Sequence, residues 1–259
     1  MPLPAFTMAF QPMWDLESGT AFAYEALVRP VGGGSALDVL EKITEENRYA
    51  FDQSCRVKAI ELAAALGMHS VLSINFLPNA VYQPAACLRK TIDAAQRVGF
   101  PTTRLMFEVT EAEPSRDPAH LRAIFTEYRA HGMITAIDDF GAGHSGLNML
   151  ADFQPDIVKL DMALCRNLHQ DPVRRAIARS IINLCGDLGI EVVCEGIESL
   201  EEAVALRDLG VRYLQGFLFA KPAIEALPEA PKDILRAVRA AHEDRLLAPQ
   251  APALRLARR

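Results

Sequence analysis

The chain has 259 residues, half of them hydrophobic, and its 33 acidic against 27 basic side chains give a formal net charge of −6. That length accommodates one large domain or two small ones and a sizeable core. The acidic balance argues against a nucleic-acid-polymer partner, whose binding surface is normally basic.

In chain order, the opening MPLPAFTMAFQPMWD has neither the basic start nor the long apolar run of a secretory leader. Two strand patterns follow, FTMAFQP (6–12) and AFAYEALVR (21–29), separated by the turn-like DLESGT. The chain then changes style, and apolar strand patterns alternate with amphipathic helix patterns. VLSINF (71–76) precedes a helix expected around 86–98, and RLMFEV (104–109) precedes one at 117–131. MITAIDD (133–139), DIVKL (156–160), EVVCEG (191–196) and RYLQGF (212–217) read as further strands, with helices over 172–188 and 199–208. Alternating strands and helices imply βαβ units and a mainly parallel sheet, and this many units in one chain fit a closed (β/α)8 barrel. The two opening strands have no helix between them, so one is expected to run antiparallel to the rest. The barrel is expected to fill residues 1–228, followed over 229–259 by a C-terminal helix (231–247) and a disordered, Arg-rich end.

The five cysteines, Cys55, Cys87, Cys165, Cys185 and Cys194, are scattered and form no CxxC, which speaks against a disulfide framework or a zinc cage. A reduced, cytoplasmic setting is expected. No apolar run reaches the roughly 18 residues of a membrane span, so no membrane association is expected.

Chemistry concentrates at the strand ends. Glu25, Asn75, Glu108, Asp138 with Asp139, Lys159, Glu195 and Gln215 each stand near the C-terminal end of a strand pattern. In a barrel these ends meet on one face. Asn75 to Glu108 spans 33 positions, Glu108 to Asp138 spans 30 and Lys159 to Glu195 spans 36, each about one strand–helix unit. A single acid on a strand is usually solvent-facing or a satisfied core group; repetition over so many strands is hard to reconcile with that reading. Oxygen donors without His or Cys favour Mg²⁺ or Mn²⁺ over zinc. Glu25, Asn75, Glu108 and Asp138 can supply one octahedral set, and adjacent Asp138 and Asp139 a second ion with one bridging carboxylate. Two such ions suit in-line displacement at a phosphate.

Three alternatives compete. Gly141-Ala-Gly143-His-Ser-Gly146 matches GxGxxG after a strand, but the preceding Asp138 and Asp139 would repel a pyrophosphate; a loop over the barrel mouth reads better. Lys159 could form a Schiff base, which leaves the carboxylates unexplained. His144 and Ser145 resemble a nucleophile pair only as neighbours in a glycine loop.

Taken together, FQPMWD, YEALVRP, SINFLP, FEVTE, IDDFGAGHSGL, IVKLD, EGIES and QGFLFAKP, in this order over about residues 7–225, resemble the EAL-domain family of cyclic di-GMP phosphodiesterases, named for the triplet Glu25-Ala26-Leu27. The resemblance implies a modified TIM barrel that hydrolyses cyclic di-GMP to linear pGpG with two Mg²⁺ or Mn²⁺ ions, by in-line attack of a metal-activated water. By position it implies Glu25, Asn75, Glu108 and Asp138 as ligands of the first ion and Asp138 and Asp139 of the second. It implies Lys159 as the group that holds or polarises the water, and Glu195 as an aid through the second ion's water shell or as a base. Arg29 takes the place that meets the substrate phosphate, with Leu27 and Gln215 also on the substrate side. Glu111 takes the place that steadies the loop at 140–147, with Glu198 and Asp161 in support. A homodimer follows by analogy, and a regulatory protein partner is one expected source of control beside the dimer interface and expression. Within the loop, usually DDFGTGYSSL, this chain has Ala142, His144 and Gly146; Pro30 and Ala112 also depart from the common pattern. The runner-up reading is a cyclic di-GMP receptor or protein-interaction module with little turnover, favoured by the altered loop.

Overall fold

The computed structural model describes residues 3–81, 83–111, 118–143, 146–229 and 231–247. Ala112, the pair His144 and Ser145, and the expected disorder of the Arg-rich end therefore lie outside the described residues. Strands β1 (Phe6–Asp15) and β2 (Thr20–Pro30) form an antiparallel hairpin. There follow α1 (Leu37–Leu40), α2 (Glu45–Ala65), β3 (Val71–Asn75), α3 (Pro84–Val98), β4 (Leu105–Thr110), α4 (Pro118–Ala130) and β5 (Ile134–Phe140). The chain continues through α5 (Gly146–Asp152), β6 (Ile157–Leu160), α6 (Met162–Cys165), α7 (Pro172–Asp187), β7 (Glu191–Cys194), α8 (Leu200–Asp208), β8 (Tyr213–Gln215), β9 (Ala223–Ile224) and α9 (Lys232–Leu247).

Strands β2 to β8 pair in parallel in sequence order, and β1 closes the ring by pairing antiparallel with both β2 and β8. This is a closed eight-stranded barrel with one reversed strand, as expected. Strand β9, which the sequence pattern did not indicate, adds antiparallel to β1 at Ala9 and Phe10. Helix starts follow local chemistry. Asp171 caps α7, with Pro172 at its first position; Ser199 and Glu202 form a reciprocal capping box on α8. Helix α2 is the one long helix that the pattern reading passed over. Its buried side carries Asn47, Asp52, Gln53 and Arg56 among the apolar residues, which interrupts the stripe that marks an amphipathic helix.

The barrel lumen is layered. Met13, Ala23, Met106, Ala136, Ile157, Val193 and Tyr213, each from a different strand, pack as one buried apolar cluster that plugs the floor. Two positions nearer the mouth stand Gln11, Glu25, Glu108, Asp138, Lys159 and Gln215 on the same strands, and Glu195 just past the end of β7. On β3 the same step leads from Val71, which packs on the floor cluster, to Ser73. Because side chains alternate across a strand, an apolar floor residue places the residue two positions on inside the same lumen. The larger apolar cluster lies between the barrel wall and the surrounding helices.

Candidate active site

One strand breaks the alternation. On a regular strand Asp138 and Asp139 would point to opposite faces. The β5–β6 register shifts between Ile137 and Phe140, and Asp139 takes a left-handed φ of 53°. Such backbone is uncommon for a side-chain-bearing residue but best tolerated by Asp and Asn. The irregularity turns Asp139 toward the mouth beside Asp138.

Carboxylate oxygens of Glu25, Glu108 and Asp138 all lie within 4.8 Å of one another, as do those of Asp138, Asp139 and Glu195, so Asp138 belongs to both groups. Fully buried Lys159 sits at their centre. Its Nζ lies 2.7 Å from Glu195, 2.9 Å from both Glu108 and Asp138, and 3.4 Å from Glu25. Asn75, at the exposed end of β3, donates to Glu25 Oε1 over 2.9 Å. Gln215 donates to Glu25 Oε2 over 2.7 Å, and Ser73 donates to Glu108.

Burial pushes the Glu108 carboxyl up to about 8 against the pull of Lys159, with the charges of Glu25 and Asp138 adding to the rise. Burial, then Asp138 and Asp161, raise Asp139 to about 6. Glu195 is held well above the carboxylate range, again chiefly by burial. Burial works to lower Lys159, but Asp138, Glu108, Glu195 and Glu25 outweigh it and hold the ammonium well above its ordinary range. Four carboxylates thus contact one resident cation, with Asp139 beside two of them, and the excess negative charge in a buried place is what a divalent ion would offset. The donors are all oxygens, and the Asp138 carboxylate, whose Oδ1 lies 2.9 Å from Lys159 Nζ, is shared by both groups. The residues present fit a hard divalent cation.

The mouth opens into a cavity of about 370 Å³ lined also by Gln11, Leu27, Asp161, Met162, Glu198 and Phe217. Asp161 caps α6 through the Ala163 N–H, 2.8 Å away. Arg29, Glu198 and Glu111 stand apart from the carboxylate cluster. Arg29 lies at the end of β2 over a neighbouring apolar pocket and donates to the Val28 carbonyl. Glu198 is half exposed at the rim and pairs with Arg166, whose two terminal nitrogens each lie 2.8 Å from it. Glu111 lies under the glycine loop and accepts from the N–H groups of Gly141, Gly143 and Gly146 at 2.7, 3.3 and 2.6 Å. At Gly146 an added Cβ would lie 2.7 Å from the Phe140 ring and 3.1 Å from the Glu111 carboxyl carbon. The glycine that departs from the usual loop pattern therefore lets the backbone press onto Glu111, while Ala142 faces solvent.

Gln11, Ser73, Met162 and Phe217 were absent from the residues read off the sequence as candidates. Gln11 and Ser73 carried a signal, since each stands two positions from an apolar lumen residue. Met162 and Phe217 carried none, because exposure at a rim is not written in strand periodicity.

A model of the EAL domain matches residues 3–222. The chain belongs to the EAL domain family. It is 31% identical over 222 residues to the blue light- and temperature-regulated antirepressor BluF of Escherichia coli, an alignment covering 85% of this chain and 55% of BluF. To the cyclic di-GMP phosphodiesterase RocR of Pseudomonas aeruginosa it is 36% identical over 163 residues, 62% of this chain and 41% of RocR. The EAL chain thus spans about half the length of these curated relatives or less. Among solved structures, a standalone versatile EAL protein from Vibrio cholerae with bound c-di-GMP superposes with a TM-score of 0.87 at 50% identity, over 90% of this chain and 99% of that one. The manganese and cyclic di-GMP complex of Klebsiella pneumoniae BlrP1 at pH 9.0 superposes at 0.83 with 36% identity, over 89% of this chain and 59% of BlrP1. No helix among the described residues of this EAL domain is long and apolar enough to cross a membrane.

Proposed function

We propose that the protein hydrolyses cyclic di-GMP to linear pGpG with two Mg²⁺ or Mn²⁺ ions. The observation that carries this reading is the pair of carboxylate groups sharing Asp138 at the barrel mouth. Glu25, Asn75, Glu108 and Asp138 would hold the first ion, and Asp138 with Asp139 the second. Divalent ions bound there lower the pKa of a coordinated water toward neutrality and offset charge on the phosphate. Lys159, kept charged by its carboxylates, holds the attacking water and stabilises charge added at phosphorus. Glu195, next to Lys159 and Asp139, takes up the water's proton. Arg29 meets the phosphate away from the metal cluster, and Leu27 and Gln215 border the substrate. Glu111 fixes the loop that follows Asp139, Asp161 holds α6 at the rim, and Glu198 with Arg166 closes that side.

The test is incubation of the purified chain with cyclic di-GMP and Mg²⁺ or Mn²⁺, followed by chromatography. Linear pGpG is expected, and none in excess chelator. Tight binding without any product in either metal would leave the receptor reading in its place. One observation favours that second reading: BluF, similar over most of this chain, is named an antirepressor rather than an enzyme.

A homodimer fits the exposed apolar side chains Leu147, Val173, Ile177 and Leu184, which border a groove between α5 and α7 next to the glycine loop. Ile177→Glu is expected to shift the chain to monomer in size-exclusion chromatography with light scattering; an unchanged mass would place any dimer contact elsewhere. Five free cysteines suit a reducing, cytoplasmic compartment.

A further inference from the structure

Gln11 lies on the reversed strand β1, directly opposite Glu25 in the β1–β2 ladder. It is buried, and both ends of its amide are engaged. Its Nε2 donates to the Ala220 carbonyl over 3.2 Å, and its Oε1 accepts from Gln215 Nε2 over 3.3 Å. The same Gln215 nitrogen donates its other hydrogen to Glu25 Oε2 over 2.7 Å. These bonds form a directional chain. A backbone carbonyl can only accept, so Ala220 requires the nitrogen of Gln11 on its side. The oxygen of Gln11 is then turned to Gln215, which must answer with its own nitrogen. Both hydrogens of the Gln215 amide are thereby committed. Its Oε1 is buried without a partner among the described residues, on the wall of the mouth cavity. A buried amide oxygen left unpaired is costly unless a donor arrives.

We propose that Gln11 is a positioning residue: it anchors the amide of Gln215 to the backbone at Ala220, which steadies the Glu25 carboxylate for a divalent cation and leaves Gln215 Oε1 as an acceptor for a ligand or water hydrogen. The inference rests on the metal-site reading above. Without Gln11 one Gln215 hydrogen is unpaired and the amide is free to rotate away from Glu25. The loss of one buried neutral hydrogen bond, about 1 kcal/mol, converts to about fivefold in affinity.

The test is a double-mutant cycle on the whole chain, with Mn²⁺ alone as the probe in calorimetry and thermal melting as the control for folding. Gln11→Met is expected to weaken Mn²⁺ binding about fivefold, with a cooperative unfolding transition in chelator whose melting temperature falls by no more than about 10 °C. In a Gln215→Met background the same substitution is expected to change Mn²⁺ affinity less than twofold, because its route of action has gone. If Gln11→Met unfolds the chain, Gln11→Asn keeps an amide that is one methylene too short for both bonds and is expected to give the same pattern. Equal losses in both backgrounds, or no loss from Gln11→Met, would overturn the proposal. Absence of Mn²⁺ binding in the wild-type chain would instead overturn the metal-site reading itself.

Discussion

Lys159 has its ammonium within 3.4 Å of four carboxylates, all in the barrel lumen or at its mouth. In the metal-free protein it is the counter-charge for that cluster, and it competes with any divalent ion for the same oxygens. Lys159→Met removes the positive charge and leaves buried acids uncompensated, a change that costs about 3–5 kcal/mol when one partner of a buried pair is lost. Chemical denaturation in chelator is expected to read that loss, and added Mn²⁺ to restore more stability to the variant than to wild type. Equal stability of the two proteins in chelator would contradict the assigned role of the lysine. Lys159, Glu25 and Glu108 were legible because a charge inside an otherwise apolar strand pattern stands out. Asp139 was legible as an acid but not as a lumen residue, since the register shift that turns it inward depends on β6. Ser73 and Gln11 carry only the signal of strand period, because short neutral and amide side chains on a strand are common and have no distinguishing charge.

Among the elements, α2 docks on the barrel through a charge rather than an apolar stripe alone. Arg56 is fully buried, with Nε 2.8 Å from Asp52 and Nη1 donating to the Tyr128 hydroxyl over 2.7 Å. Its guanidinium lies 5.1–5.8 Å from the ring centroids of Phe107, Phe76 and Tyr128. Arg56→Met is expected to cost about 3–5 kcal/mol in urea unfolding, because Asp52 stays buried without its cation; a cost below 1 kcal/mol would show the pair to be dispensable. The hairpin end of β1 is held differently. Arg212 grips Asp15 with two hydrogen bonds of 2.9 and 2.7 Å. That grip holds the Asp15 carboxyl well below its ordinary 3.8, assisted by the Glu17 N–H and opposed by burial. A depressed folded-state pKa contributes stability that is complete above the unfolded value and lost as pH falls below it. The melting-temperature gap between wild type and Asp15→Asn is therefore expected to be constant above about pH 5 and to shrink as the pH is lowered through 4 toward 2. A gap that widens on acidification would refute this. The Arg56–Tyr128 and Arg212–Asp15 contacts were not legible in the sequence, because the partners lie 72 and 197 positions apart; Asp52 and Arg56 stand four apart on α2, but nothing local shows that the pair is buried.

For the molecule as a whole, the mouth carries more negative charge than its one lysine offsets, so folding and metal binding are linked. Mn²⁺ at about a hundred times its Kd is expected to add about 2.7 kcal/mol to stability, read as a melting temperature about 5–10 °C higher than in chelator for a chain of this size. No shift would mean that the carboxylates do not hold the ion. The alternation of strand and helix, the reversed opening strand and the identity of the charged lumen residues were determined by the sequence alone, because side-chain period and charge are local properties of a chain. The tertiary structure alone decided that Asp139 joins Asp138, that Glu198 turns to Arg166 and Arg29 stands over a separate pocket, and that Gln11 reaches Gln215. Each of these depends on closure of the ring and on register between strands distant in sequence, and no local pattern encodes the distance between them.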